Sequence, residues 1–356
     1  MKNKILTLIV VSLISYNSFS QIKGVADMLG SGTENAEALF EAYLSPWTNA
    51  FGASLNGGWY NTAKPHKLGG FDITMSFNAA IIPDLDKTFD LSGLGLSGMS
   101  FPEGSMSSTA AGPRDGGKPM IYTPNAAYPQ ASVPINAPNG TGVGFIPLPT
   151  AQIGVGFIKE TDLNFRYMPE VSLGDIGNMK LWGIGVKHSI KQWIPVLAKV
   201  PVFQLSAQGG YTKFSTNLGI NLTPDAFGDD YSSLGTGNYN DQNFGFEVSS
   251  FTANILVGAN LPVVCFYGGL GFATTKANLT LTGNFPIPDV DTETGHRIIN
   301  DITDPINAEM TNSDGSKTKP RLNVGMRIKL GVITFHGDYT YANYSVATGG
   351  IGISFR

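Results

Sequence analysis

The histidines are the first place to look for catalysis or metal binding. The chain has four, His66, His188, His296 and His336, and no two are spaced as metal ligands. His336 and Asp338 are two residues apart on a predicted strand, so their side chains leave one face about 7 Å apart. That spacing allows contact but does not make an acid–base pair. We therefore expect no enzyme activity and a hydrogen-bonded pair inside the fold.

Two short motifs resemble chemical sites without completing them. GLGLSGM, at 93–99, lacks the final glycine of a Gly-x-Ser-x-Gly nucleophile turn. DVDTETGHRIIN, at 289–300, resembles a calcium loop, but Gly295 is one place late and Asn300 stands where glutamate belongs. We expect a solvated acidic loop there, with no metal and no cofactor.

Basic residues on the polar faces of predicted strands are the most informative chemical feature. They are Arg166, Lys187, Arg321, Arg327 and Lys329. Asp72, His336 and Asp338 fall on the same kind of face. A basic interior would attract an anionic headgroup such as a carboxylate, which arginine holds through two hydrogen bonds. The alternative is a charge network that braces the fold. The five basic residues, His336 and Asp338 are the candidate ligand-binding residues under the first interpretation.

Strict alternation places these residues on strands. In RLNVGMRIKLGVITFHGDYTYA, at 321–342, every second residue is apolar on either side of a turn at Gly331. The same period of two recurs at 51–60, 71–81, 163–168, 181–187, 203–211, 251–257 and 351–355. Within 263–283 the apolar parity changes between Phe272 and Leu279, which predicts a β-bulge.

A soluble sandwich would alternate in the same way, but three features favour a membrane barrel. The apolar rows carry Phe, Tyr and Trp near strand ends, as interfacial girdles do. The N-terminus has the pattern of a secretory signal, and the final strand, GGIGISFR, carries a terminal aromatic residue. We predict an all-β fold, a transmembrane antiparallel barrel whose apolar row faces lipid in the cell outer membrane.

The N-terminal region divides into a signal and a helix. Residues 1–20 have Lys2 and Lys4 before an apolar stretch, as a signal peptide does. Apolar residues at helical spacing predict a short helix at 34–45 that Pro46 ends. Residues 21–49 would then form a helical plug inside the lumen. No later run of about 18 apolar residues predicts a membrane helix.

Connections of two kinds follow, within a barrel predicted at 50–356. Short turns alternate with long outer loops at 83–150, 223–243 and 284–320, and the first of these is rich in proline. Eleven strands can be counted, although bacterial barrels use even numbers. Either a strand is missed, which gives 12–14 strands, or the N-terminal helix threads the lumen.

Composition excludes several classes of protein. Only 14% of residues are charged, with 44 Gly and 21 Pro, which suits a β protein with many turns. The net charge of −4 makes nucleic acid an improbable partner. The single cysteine, Cys265, rules out a disulfide within the chain and lies in an apolar run.

The stretches TDLNFRYMPEV and WGIGVKHSIKQWIPVLAKVPVFQLSAQGGYT resemble an uncharacterised family of outer-membrane barrels from Bacteroidetes-type bacteria. That family is distantly similar to FadL-type transporters of hydrophobic compounds. The resemblance covers about residues 150–215, with support at NGGWYNTAKPHKLGGFDI and at the C-terminus. It implies 14 strands, an N-terminal hatch and lateral release of an apolar ligand. The Asn-Pro-Ala hatch motif is replaced by Asn35-Ala36-Glu37, so no binding residue is carried over.

Two functions remain open at this point. The first is passive uptake of a small apolar or amphipathic ligand, with a carboxylate as one form of it. The second is a barrel that does not transport and acts as an adaptor or structural partner, for example in protein secretion. Outer-membrane lipid is the partner in both cases, and the outer loops would meet a protein partner in the second.

Overall fold

The computed structural model describes residues 18–172, 177–291, 293–310 and 318–355. Residues 1–17 of the predicted signal peptide lie outside the described residues. In the part of the chain that is described, no helix combines the length and apolarity needed to cross a membrane.

Ten antiparallel strands close into a barrel. In chain order they are β1 Phe71–Ile81, β2 Phe145–Phe157, β3 Thr161–Ser172, β4 Gly177–Ser189, β5 Phe203–Gly219, β6 Asn243–Asn260, β7 Val264–Thr282, β8 Thr318–Leu330, β9 Ile333–Tyr341 and β10 Val346–Phe355. Each strand pairs with the next, and β10 closes the ring on β1, with Phe71 opposite Phe355. The predicted transmembrane barrel is confirmed, but the expected 12–14 strands are too many.

One end of the barrel carries short turns and the other carries the loops. Turns at 158–160, 190–202, 261–263 and 331–332 define the short-turn end, where 190–202 includes a one-turn helix at Pro195–Ala198. The connections 82–144, 220–242 and 283–317 leave from the opposite, loop end. Short turns face the periplasm in bacterial barrels, and this rule predicts that the loop end is the outer one.

The alternating rows face the two environments that their chemistry predicts. Leu322, Val324 and Met326 are exposed on the outside of β8, whereas Arg321 and Asn323 are buried inside. Aromatic residues lie on the outside near both ends of the strands, among them Phe71, Phe355, Trp182, Tyr167 and Tyr341. An outward apolar belt with aromatic edges is the surface that lipid requires.

The polarity of the wall inverts above this belt. β5, β6 and β7 have 17, 18 and 19 residues, although about 9–11 cross a membrane. In their outer parts Phe214, Val248 and Leu279 are buried inside, while Lys213 and Glu247 pair on the outside at 2.8 Å. The predicted bulge in β7 is wrong, because its pairing with β6 is continuous. The apolar residues change face there because the strand leaves the lipid.

The loops form a second packed structure, which we call the loop body. Its strands are Thr88–Asp90, Met99–Ser100, Met106–Ser108, Pro119–Tyr122, Val133–Asn136, Asn284–Val290 and Arg297–Thr303. A further strand, Ile306–Met310, joins the loop body to the barrel sheet by pairing with the outer part of β7. The long loops are therefore partly strands. The predicted loop 83–150 is too long, since β2 begins at Phe145 and includes Pro147 and Pro149. In that part of the strand β2 pairs with β1 alone, because its pairing with β3 begins only at Gln152. The two prolines, which have no N–H to donate, can therefore lie on the edge that has no partner strand.

Two helices precede the wall, α1 at Ser18–Leu29 and α2 at Thr33–Leu55. The predicted end at Pro46 is wrong, because α2 continues through it. The strand predicted at 51–60 is wrong too: Phe51 and Leu55 are also four residues apart, which suits one helix face. The wall thus begins at Phe71 rather than at residue 50. Without the strand predicted at 51–60, the eleven strands counted from the sequence become ten, an even number as in other bacterial barrels.

The plug also differs from the predicted 21–49. Helix α1 and the first half of α2 pack in the loop body, where Leu29, Leu39 and Phe40 join its apolar core. The end of α2 and the following residues 56–70, the lumen segment, occupy the barrel instead. The chain therefore runs from the loop end to the short-turn end before the wall begins.

This path predicts where two exposed positions react with thiol reagents. In a Cys265→Ala background, Glu37→Cys at the loop end should react with a membrane-impermeant maleimide on intact cells. Lys67→Cys at the short-turn end should react only after the outer membrane is permeabilised. The reverse pattern, or equal labelling of both positions on intact cells, would contradict the threading.

Candidate functional site

The lumen segment follows the barrel axis and is held at both ends. It begins at Asn56, directly after α2, and at the short-turn end Gly69 and Gly70 exchange backbone hydrogen bonds with Gly156 at 3.1 and 2.7 Å. Inward polar residues along the wall are almost completely buried against it, including Thr74, Asn164 and Thr252. A water-filled pore would leave such residues exposed, so the lumen is filled.

Two arginines bind the carbonyl groups that the end of α2 leaves without partners. Arg166, from β3, donates to the oxygens of Leu55 at 2.8 Å and Gly57 at 2.6 Å. Arg321, from β8, donates to the oxygen of Asn56 at 2.9 Å. The last carbonyls of a helix lack hydrogen-bond partners within it and carry the negative end of its dipole. A guanidinium group both donates hydrogen bonds to these carbonyls and brings a positive charge to the negative end of the helix.

Trp59 stacks on one of these arginines. The guanidinium carbon of Arg166 lies 3.7 Å from the ring centroid, and Arg166 Nε donates to Gln152 at 3.0 Å. Glycines on the neighbouring strands β4 and β5 make room for the ring. A Cβ at Gly185 or Gly210 would come within 2.7 or 2.5 Å of Trp59 atoms. This arrangement fixes the height of the segment in the barrel.

A buried charged cluster fixes the segment near the short-turn end. Asp162, on β3, accepts from the His66 backbone at 2.7 Å and lies 3.2 Å from His66 Nδ1. Lys187 Nζ lies 3.0 Å from the same carboxylate and 3.3 Å from the Thr62 oxygen. Asp72 lies 3.7 Å from His66 Nε2. A cluster of opposite charges is the arrangement in which such groups can be buried.

The remaining sequence candidates are not gathered at one ligand site. Arg327 donates to Asn61 at 3.0 Å, and Lys329 is half-buried nearer the short-turn end. His336 meets Ser76 at 3.3 Å, while Asp338 accepts from Tyr267 and Asn323. His336 and Asp338 thus bind different partners, so the expectation that they pair is wrong.

Sequence reasoning found the cations but missed their partners. Asp162, His66, Asn56 and Trp59 carry no local motif, and they meet the wall only because the chain threads the barrel. The one sequence signal was the odd count of eleven strands, which is compatible with an N-terminal segment inside the lumen. Among the described residues no group of three His, Cys, Asp or Glu side chains could hold a metal ion.

A cavity of about 50 Å³ lies between the end of α2 and the wall. Its lining includes Ala53, Asn56, Arg321 and Ala342, with the exposed Asn343 at its outer edge. Tyr344 also lines it and donates to Asp86. Burial and the Asp86 carboxylate raise the pKa of Tyr344, so this hydroxyl keeps its proton and its partner.

Fold and lumen together define a transmembrane β-barrel that its own N-terminal segment fills. The chain belongs to a family of unknown function, DUF6588, which it matches over residues 1–355. This confirms that the family is uncharacterised, whereas its expected origin in Bacteroidetes-type bacteria stays a prediction. The 14 strands that the resemblance implied are wrong, since the wall has ten.

Solved structures give broad likenesses only. The translocator domain of the autotransporter NalP from Neisseria meningitidis shares 11% identity over 87% of this chain and 93% of that one, with a TM-score of 0.28. The protease OmpT from Escherichia coli shares 6% over 80% and 97%, at 0.30. The toluene transporter TodX from Pseudomonas putida shares 8% over 85% and 93%, at 0.29. No curated protein matches the chain. Likenesses of this size carry no argument about function.

A pair of adjacent glycines tests the fit around Trp59. Gly210→Ala should lower the free energy of unfolding by about 1–3 kcal/mol, because its methyl group would overpack the indole. Gly209→Ala should change it little, since the nearest atom to its Cβ is 3.9 Å away. Urea titrations of the purified barrel, followed by its folded band shift, measure both variants.

The double variant Gly210→Ala, Trp59→Ala supplies the control. If the clash is with Trp59, the alanine at 210 should cost almost nothing once the indole is gone. Equal destabilisation by Gly209→Ala and Gly210→Ala would contradict the arrangement.

Proposed function

We propose that the protein is a closed outer-membrane barrel that anchors and displays the loop body as an adaptor or structural partner. The observation that carries this proposal is the fixation of the lumen segment at both ends. At the short-turn end it continues into β1, and at the loop end it continues into α2. A plug tied in this way cannot leave the lumen towards either side without unfolding part of the fold.

The loop-end attachment is itself extensive. Asn35 on α2 donates to the Ser97 oxygen at 2.8 Å and accepts from the Ser97 nitrogen at 2.9 Å. The Tyr43 hydroxyl donates to the backbone oxygen of Asn139 at 2.8 Å, and the Tyr43 backbone carbonyl accepts from the Ala110 amide at 2.9 Å. Each such bond contributes about 1 kcal/mol, in addition to the apolar core that α1 and α2 share with the loops.

The location in the outer membrane rests on the apolar belt, its aromatic edges and the signal pattern. The loop body then lies outside the cell, with polar outer surfaces and a few exposed apolar side chains. Leu85, 90% exposed, and Met106, 54% exposed, are the largest departures. These are the positions at which a protein partner would find apolar contact.

Uptake of a small ligand is the second candidate, and one observation favours it. The lumen segment meets the wall through polar contacts, which can be exchanged for water more easily than an apolar core can. Local movement of residues 56–70 would then open a path while both ends stay attached. No enzyme activity is proposed.

Single-channel recording separates the two candidates when the segment can be locked. A Cβ at Gly258 would lie 3.0 Å from that of Ala63, about 0.5 Å short of the separation that a disulfide spans. In the Cys265→Ala background, the Ala63→Cys, Gly258→Cys variant should be silent in planar bilayers both oxidised and reduced, as should the intact protein. Deletion of residues 22–69, which removes the lumen segment, provides the open-lumen control and should conduct.

Two results together would contradict the closed barrel. The intact protein would show channel openings, and the double-cysteine variant would show them only when it is reduced. These results would establish movement of the lumen segment and favour uptake. Band shift on heating shows that each variant is folded.

A further inference from the structure

We propose that the 190–202 connection binds an anionic phospholipid of the adjacent leaflet and holds it against the outer face of β4 and β5. It is the longest connection at the short-turn end and contains the one-turn helix Pro195–Ala198. The proposal is independent of the adaptor function, since the connection lies at the end of the barrel opposite the loop body. Binding there requires no movement of the lumen segment.

The first argument is the exposed apolar surface of the connection. Trp193 is 60% exposed and Val196 is 75% exposed, and Val200 and Val202 are exposed too. Apolar surface in contact with water is unfavourable roughly in proportion to its area. A contiguous exposed apolar segment of this kind marks contact with a membrane or with another protein.

The second argument is the position of Trp193, which favours the membrane. Its indole Nε1 donates to Nε2 of His188 at 3.0 Å. His188 lies in the outward row of β4 with Ile184 and Val186, both exposed in the lipid belt. The connection is therefore folded against the outer side of the wall, and its apolar surface continues the belt.

The polar groups around Trp193 are satisfied without covering its ring. Because His188 Nε2 accepts from the indole, the neutral imidazole has its proton on Nδ1, which donates to Thr161 Oγ1 at 2.8 Å. The indole nitrogen thus has its partner within the protein, while the ring remains open to the surroundings. Tryptophan is enriched at membrane interfaces in this role, with a polar edge satisfied and an apolar ring in lipid.

Two further hydrogen bonds hold the connection in a defined shape. Lys191 is buried, and its Nζ donates to the Val200 oxygen at 2.6 Å, which joins the two ends of the connection. Gln192 Nε2 donates to the Lys159 oxygen at 2.8 Å, which ties the connection to the neighbouring turn. The apolar surface is therefore presented by an ordered segment.

The third argument is charge, which selects an anionic lipid. In the part of the short-turn end that the structure describes, the exposed charged side chains are Lys64, Lys67, Lys159, Glu160 and Lys199. Cations predominate, and the connection itself contains no acidic residue. Lys199 directly follows the one-turn helix and has no hydrogen-bond or ion-pair partner among the described residues. A lysine beside exposed apolar groups can keep its stem in the lipid and its ammonium group at a headgroup phosphate.

Quenching of Trp193 fluorescence by brominated lipids tests the proposal in proteoliposomes of the full chain. A Trp182→Phe background removes the other strongly exposed tryptophan, and Trp193→Phe in that background gives the residual signal of Trp47 and Trp59. Vesicles of phosphatidylcholine and phosphatidylglycerol carry bromine on the acyl chains of one lipid or the other. Brominated phosphatidylglycerol should bind beside Trp193 about fivefold more tightly than brominated phosphatidylcholine, as expected for one lysine at a charged membrane surface.

A pair of lysine variants supplies the matched control. Lys199→Gln should remove most of the preference for phosphatidylglycerol. Lys67→Gln makes the same charge change at the same end, but at the exit of the lumen segment, and should leave the preference unchanged. Both side chains are exposed, so neither change should disturb folding.

Three results would overturn the proposal. Equal quenching by the two brominated lipids would show that the connection does not select an anionic lipid. Equal loss of the preference in both lysine variants would show that it comes from the overall charge of the short-turn end. Absence of quenching by either lipid would show that the connection faces water, where a protein partner could cover it.

Discussion

The burial of a helix end inside a membrane barrel is the constraint on which the rest of the structure depends. The carbonyls of Leu55, Asn56 and Gly57 reach a level where water is absent, and only wall side chains can satisfy them. Arg166 and Arg321 do so, each from a strand position that faces inward. Hydrogen bonds to charged groups contribute about 1.5–3 kcal/mol each, so these contacts strongly favour the segment remaining in place.

Two different cores result from this arrangement. At the level of the lipid belt the outside is apolar and the lumen is polar, as the solvent on the outside demands. At the loop end the outside is polar, and an apolar core joins the outer parts of β5, β6 and β7 to α1 and α2. Helix α2 passes from one environment to the other, with Phe51 packed on Phe214 at 4.7 Å just above the arginines. Wall and loop body are thus one folded unit.

The outward and inward rows of the wall could be predicted from sequence because a strand has a side-chain period of two. The same period gave a wrong strand at 51–60, where Phe51 and Leu55 fit a helix equally well. It also gave a wrong bulge in β7, where the apolar residues change face because the strand passes from lipid to water. The inward position of Arg166 and Arg321 could be predicted from the same period of two. Their partners could not: Arg166 and Leu55 are 111 residues apart, and only the threaded path brings them together.

The central claim is that residues 56–70 fill the lumen, and thiol accessibility at Ala63 tests it most directly. Ala63 is fully buried inside the barrel, towards the short-turn end, and its side chain lies against Gly258, which has no side chain of its own. In proteoliposomes of the Cys265→Ala protein, Ala63→Cys should resist small charged methanethiosulfonate reagents from both sides until the protein is unfolded. Rapid modification of Ala63→Cys in the folded protein would show water in the lumen and contradict the account.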